Sequence, residues 1–239
     1  MRRLPKPKPL PRKLRTKLAA ETAFIVASEN PKAEADRRYS NARNAGWFKP
    51  VVDALKKLSG HGQRCMFCSG SEASDVEHYK PKAVFPELAM TWENYLWSCA
   101  PCNRGKSSRF PPCTEPGGQF VNPLREDVWE FFFIDEFGFL TPRYDKAAGA
   151  LNERAASTRD LLDLNREAVQ ETRLARLSDL KEQVNELVRG LKQGRIKNTA
   201  AQGKIKVWLS QPFQPDVADY FLNGPGKTEQ PFKKLLKLV

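Results

Sequence analysis

No stretch of this 239-residue sequence approaches the roughly 18 consecutive apolar residues that a membrane-spanning helix needs; the longest runs are short pieces such as residues 128–134, which Glu130 interrupts. A membrane-spanning helical protein is thereby excluded, and a soluble chain is expected. Arg2 and Arg3 superficially suggest an export signal. Proline and further cations come after them, not an apolar core, so a cytoplasmic location is expected. Cysteine is scarce: five residues in a chain whose 40% apolar content suffices for a real core, which rules out a small disulfide-stapled scaffold. Histidine is scarcer still, limited to His61 and His78. There is no internal repeat and no helix-turn-helix pattern, so little intrinsic sequence selectivity is expected of any nucleic-acid contact. Acidic residues are missing altogether from positions 1–20.

That last gap is filled with positive charge. The formal charge is +12, and residues 1–20 hold Arg2, Arg3, Lys6, Lys8, Arg12, Lys13, Arg15 and Lys17. Pro5, Pro7, Pro9 and Pro11 alternate with these cations. Proline lacks the amide proton that helices and sheets require, so residues 1–18 read as an extended basic arm. Such an arm is drawn to phosphate backbones or to an acidic partner; the bland alternative is a solvated leader. Residues 19–60 read as a helical segment ending near Gly60. Residues 61–118 are dense in Cys, Gly, Pro, His and aromatics, as a small metal-organised module would be. Residues 119–239 read as short strands over 128–134 and 137–140 around a turn at Asp135, Glu136 and Gly138, then helices beyond Asn152 with a cap at Asn165. Leu177, Leu180, Val184, Leu187 and Leu191 form one apolar stripe, which packs within the chain or against a partner helix.

The cysteines carry the first specific signal. Cys65-x2-Cys68 and Cys99-x2-Cys102 provide two thiolate pairs, thirty residues apart, each able to bite one tetrahedral ion. That spacing favours structural Zn²⁺ over a redox pair, and four thiolates leave no open position for chemistry at the metal. Cys113 is given no role.

Within and just after this loop stand Asp75-Val76-Glu77-His78-Tyr79-Lys80-Pro81-Lys82, then Trp92-Glu93-Asn94, then Cys102-Asn103-Arg104-Gly105-Lys106. On these strings the sequence resembles the HNH nuclease superfamily. The resemblance implies an acid-histidine pair ending the first strand of a ββα-metal unit, an asparagine bracing the connecting loop, and an asparagine opening the helix. The implied fold is α+β and mainly helical, a ββα-metal module with a four-cysteine zinc knuckle packed with N- and C-terminal helices. Phosphodiester hydrolysis needs a base for water and a cation for the charge building on phosphate oxygens. His78 fits the base. Glu77 and Asn103 offer oxygen ligands to a catalytic ion, Mg²⁺ or Mn²⁺, although many relatives carry aspartate where Glu77 stands. Asn94 would support the loop that aims His78. Lys80, Lys82, Arg104, Lys106 and Arg109 would grip nucleic acid. Glu87 and Glu93 are nearby carboxylates that can assist a metal, and His61 reads as a loop residue. Each of these residues has a structural alternative: a satisfied histidine, a solvated acid, a helix cap.

Longer strings, Glu77-His78-Tyr79-Lys80-Pro81-Lys82, Phe85-Pro86-Glu87-Leu88-Ala89, residues 92–111, Asn122-Pro123, Trp129-Glu130-Phe131-Phe132 and Leu161-Leu162-Asp163-Leu164-Asn165-Arg166, resemble the PtuB-type HNH proteins of Septu and retron-associated anti-phage systems. That resemblance implies a DNA-cutting effector held and gated by a PtuA-like ATPase of the ABC or SMC kind, with the arm and the apolar stripe as candidate docking surfaces. Two other readings stay open: a zinc-stabilised nucleic-acid binding or scaffold module without catalysis, and a nuclease directed at RNA.

Overall fold

Pro11 closes the proline-alternating lead-in, and the first helix, α1 (Arg12–Val26), starts at the next residue in the computed structural model. The structure describes all residues except 3, 61, 111–119, 211–214, 223, 230–232 and 234–239. His61 and Cys113 thus lie outside the described residues.

The arm is shorter than its composition suggests, because the alternating prolines end at Pro11 and nothing in residues 12–18 opposes helix formation. It also docks on its own chain. Met1 and Leu10 are buried, the Leu4 amide donates to the Pro123 carbonyl (3.2 Å), and the Trp92 indole donates to the Lys8 carbonyl (3.0 Å). Lys6, Lys8, Arg12, Lys13 and Arg15 remain exposed.

Helix α2 (Pro31–Asn44) opens with Pro31 at its first position and the Asn30 side chain accepting from the Ala33 amide. Helix α3 (Lys49–Leu58) ends at Ser59, followed by Gly60. Leu18, Ile25, Tyr39, Phe48, Val51 and Leu55 from this helical segment enter the core. Strand β1 (Ala73–His78) pairs antiparallel with β2 (Tyr95–Cys99), Glu77 opposite Leu96 and His78 opposite Tyr95, with a register shift between Ala73 and Asp75. Helix α4 (Ala100–Lys106) leaves β2 without a loop and packs on β1.

After the undescribed segment, residues 128–131 form a helical turn, α5 (Val128–Phe131), and not the strand their β-prone character suggests: the Asp127 carboxylate accepts from the Trp129 amide and starts the turn. The hairpin begins only at β3 (Phe132–Ile134), paired with β4 (Leu140–Pro142). A short pair, β5 (Tyr144–Asp145) and β6 (Ala150–Leu151), leads into α6 (Glu153–Leu161), α7 (Glu167–Lys192), α8 (Asn198–Ser210) and α9 (Pro215–Leu222). Gly138 at the β3–β4 turn has φ +81°, and a Cβ there would meet the α7 backbone at 2.8 Å, so glycine is required twice over.

The expected cap at Asn165 is absent. Its amide instead brackets Leu140, accepting from the amide (2.8 Å) and donating to the carbonyl (3.1 Å), and α7 starts after Arg166 with no side-chain cap. Leu177, Leu180, Val184 and Leu187 are buried and Leu191 packs beside them, so the apolar stripe is consumed inside this chain and offers no partner a free face.

Helices α7 and α9 are joined by a fully buried ion pair, Arg173 Nε to Asp216 Oδ2 at 2.8 Å, and Arg173 also donates to the Leu164 carbonyl. The Met1 ammonium also reaches Asp216 Oδ2 at 3.4 Å, so this carboxylate faces two buried cations. Asp216→Leu strands both and should cost about 3–5 kcal/mol in urea unfolding, more than Arg173→Met, which leaves Asp216 paired with Met1. A single variant as stable as the native chain would show that the pair does not hold these helices.

Candidate functional site

The two cysteine pairs meet. Cys65 and Cys68 stand in a tight turn in which the Ser69 amide donates to the Cys65 carbonyl (2.9 Å) and the Cys65 amide to the Gly70 carbonyl (2.9 Å). The Met66 amide donates to the Trp97 carbonyl (2.8 Å), fastening the turn to β2. Cys99 ends that strand and Cys102 lies in the first turn of α4, so the strand-to-helix junction supplies the second pair. All four are buried, and their sulfurs lie within 4.8 Å of one another. Four buried thiols with no metal would be poor neighbours, whereas four thiolates at this separation suit one tetrahedral ion, with Zn²⁺ matching the donor chemistry. The surroundings favour anionic sulfur: the Gly70 amide donates to Cys68 Sγ (3.3 Å), and the Arg166 guanidinium approaches it at 3.1 Å. Hydrogen bonds from Cys102, Cys65 and Cys99, with the Arg166 charge behind them, hold the Cys68 thiol well below its usual range, while burial pushes Cys65 up.

Glu77 and His78 end β1 and turn to different neighbours, as consecutive strand residues must. Glu77 meets Lys106 on α4, Nζ to Oε1 at 2.7 Å, with the lysine side chain only 1% exposed. Burial raises the Glu77 carboxyl and lowers the Lys106 ammonium, and each charge opposes the other's shift. His78 is 5% exposed. Its Nε2 lies 2.9 Å from the Ala89 carbonyl, which also accepts from the Tyr95 hydroxyl (2.8 Å), and the Tyr39 ring of α2 covers it at 4.5 Å between centroids. Burial, reinforced by Lys82, Lys106 and Arg43 and opposed by the Ala89 carbonyl, lowers the imidazole to about 4. It is therefore neutral at pH 7.

Asn94 is buried and makes three bonds: Oδ1 accepts from the Lys80 amide (2.8 Å), and Nδ2 donates to the carbonyls of Lys80 (3.0 Å) and Leu88 (3.1 Å). It thus clamps the chain leaving β1 to the segment that presents Ala89. Asn103 is half-buried on α4, three residues before Lys106 and so on the helix face that meets β1. No side-chain hydrogen bond joins His78 to Glu77 or Asn103 among the described residues.

The cations divide. Lys106, expected to grip phosphate, is instead the buried counter-charge of Glu77, because position 106 falls on the packed face of α4. Lys82 pairs with Asp36, Lys80 lies over the Phe85 ring (5.3 Å), Arg109 folds back onto the Gly105 carbonyl, and Arg104 is exposed. Glu87 and Glu93 are exposed; Glu93, Lys80, Asn94 and Arg125 line a cavity of about 470 Å³ beside the Asn94 clamp. Sequence reasoning missed three participants. Tyr39 lay outside every quoted motif, and Ala89 and Arg166, the latter 64 residues beyond Cys102, stood in the longer strings without a role at this site. It also misassigned Lys106, although the three-residue step from Asn103 does place that lysine on the buried face.

The fold thus presents a buried, metal-competent cluster of four cysteines at the base of a strand pair and helix that carry an acid, a histidine and an amide. No family model matches the chain. Over 100 residues it is 32% identical to the Septu protein PtuB of Bacillus thuringiensis, a match covering 39% of this chain and 37% of that protein. This supports a PtuB-like relationship, over a match that spans little more than a third of the relative's length.

Because ligation of such a site supplies folding free energy of about 10 kcal/mol or more, Cys65→Ser should lose metal and unfold the module. Elemental analysis with circular dichroism checks this; a metal-free, fully folded variant would refute the assignment.

Proposed function

We propose that the chain is an HNH-type nuclease that hydrolyses phosphodiester bonds of DNA as the effector component of a Septu-like anti-phage system. The relationship to PtuB supports the setting, and the state of His78 carries the chemistry. A carbonyl can only accept, so the bond to Ala89 places the imidazole proton on Nε2 and leaves Nδ1 with the free lone pair. A neutral ring with a fixed tautomer is what a general base for water requires. Tyr39, Tyr95 and the Asn94 clamp fix the ring's orientation, so these residues position the base and take no proton themselves.

Glu77 and Asn103 are hard oxygen donors, and the Lys106 ammonium shows that this carboxylate already holds a cation. Glu77 and Asn103 would hold Mg²⁺ or Mn²⁺, which would supply positive charge for the oxygens of the scissile phosphate. Lys106 competes for the same carboxylate, so metal affinity in the free chain is expected to be weak. The ion of the cysteine cluster, fully ligated, shapes the strand pair and does no chemistry. The lead-in is tied to Trp92 at the Lys8 carbonyl, and exposed Lys6, Lys8, Arg12, Lys13 and Arg15 would guide the phosphate backbone together with Lys80, Arg104 and Arg109.

The covering of His78 by Tyr39 fits an enzyme whose site opens only in complex with a partner, here an ATPase of the PtuA type. The same covering favours a second reading, a metal-stabilised nucleic-acid binding or scaffold module without catalysis.

One experiment separates them. Plasmid nicking with Mg²⁺, Mn²⁺ or EDTA, with and without the partner ATPase, should show metal-dependent cutting that His78→Ala lowers about 10²- to 10⁴-fold. The variant's melting curve serves as the folding control, and a parallel RNA substrate tests the polymer. Cutting that survives His78→Ala would remove the base; no cutting under any condition would leave the binding module. Separately, the triple change Lys6→Glu, Lys8→Glu, Lys13→Glu should weaken DNA binding and flatten its salt dependence by about three counterions. An unchanged salt slope would exclude the arm from the DNA path.

A further inference from the structure

The end of α6 and the link from it to α7 contact the cysteine cluster and its helix in three places. Gly105 on α4 lies so close to the last residue of α6 that a Cβ would stand 2.7 Å from the Leu161 carbonyl. Cys102 Sγ lies 3.8 Å from the Leu162 carbonyl. Arg166 then reaches over the sulfurs: Nη2 lies 3.1 Å from Cys68 Sγ and 3.7 Å from Cys99 Sγ, and Nη1 lies 3.7 Å from Cys102 Sγ. The guanidinium is aimed by its own loop, since Nη1 also donates to the Asp163 carbonyl at 3.0 Å, and Asp163 holds a left-handed backbone (φ +45°).

Helix packing does not explain this arginine. Arg166 is the N-cap of α7, where its side chain caps nothing and its charge opposes the positive end of the helix dipole. The compensation lies at the sulfurs. Four thiolates around one divalent ion leave two formal negative charges in a buried site, a costly arrangement unless cationic donors face them. Donors to metal-bound atoms hold their ligands in place, and losing one typically costs about 10- to 100-fold in metal affinity.

We propose that Arg166 is a positioning residue of the metal centre, offsetting part of the negative charge of the thiolate cluster and coupling metal retention to the docking of the α6–α7 link. The proposal rests on the reading of the four cysteines as a zinc site. Arg166 is not a ligand. It binds the charged cluster as a cation, so metal loss frees the link, and loss of the arginine loosens the metal.

The test uses the full chain, purified with zinc. Zinc release to a chromophoric chelator is followed for the native protein, Arg166→Gln and Arg166→Lys, with each melting curve recorded. Arg166→Gln should release zinc about 10- to 100-fold faster, and Arg166→Lys should fall between. In cobalt-substituted protein the sulfur-to-metal charge-transfer band should move to lower energy in Arg166→Gln, a shift that a purely structural role would not produce. Stripping zinc from the native chain should raise amide exchange in residues 161–166. If Arg166→Gln does not fold, the native chain decides, and amide exchange in that segment left unchanged by zinc removal would overturn the proposal. Native-like release and an unmoved band in folded Arg166→Gln would overturn the proposal alone. A native chain that binds no zinc would overturn the zinc reading and this inference with it.

Discussion

Four sulfur atoms, drawn from a turn before β1 and from the junction of β2 with α4, converge to within bonding reach of a single ion, and the surrounding structure is arranged around that convergence. A two-stranded sheet with a seven-residue helix buries too little apolar surface to define its own shape. The turn of Cys65 and Cys68 and the β2–α4 junction of Cys99 and Cys102 are the two ends that such an ion would join, next to the register in which Glu77 opposes Leu96 and His78 opposes Tyr95.

The second constraint is charge taken out of water. Glu77 with Lys106, and Arg173 with Asp216, are buried pairs whose desolvation is offset by close contact and, at Arg173, by a further hydrogen bond. At the cysteine cluster, Arg166 faces Cys68, whose thiol is held well below its usual range. Such interactions are sensitive to geometry and fail when one member is removed, so they specify how the helical layers meet more than they add to stability. These pairs are neutral as units, so the net charge of +12 is carried by cations elsewhere, among them the exposed Lys6, Lys8, Arg12, Lys13 and Arg15.

The base candidate is oriented by Ala89, Tyr95 and Tyr39, and those contacts also cover it. Preorganisation and closure arise from the same aromatic packing. The first helical layer therefore has a dual role: α2 contributes to the core through Ala35 and Ala42 and lays Tyr39 over the imidazole.

The sequence by itself determined the cysteine pairs, the acid-histidine step at 77–78 and the basic lead-in, because each is a matter of residue type at a fixed local spacing. The helical character of residues 19–60 and of α7 was also legible, from the Gly60 stop and the leucine periodicity, but the breaks between α1, α2 and α3 were not. Tertiary structure decided the rest. It turned residues 128–131 into a helical turn through the Asp127 carboxylate, diverted Asn165 from capping to β4, folded the arm onto Trp92, buried the leucine stripe and made Lys106 a counter-ion. It also brought Arg166 to the sulfurs across 98 residues of chain from Cys68. Local spacing records what a side chain can do; which charge it meets is set by packing between segments far apart in sequence, and no short window of residues encodes that.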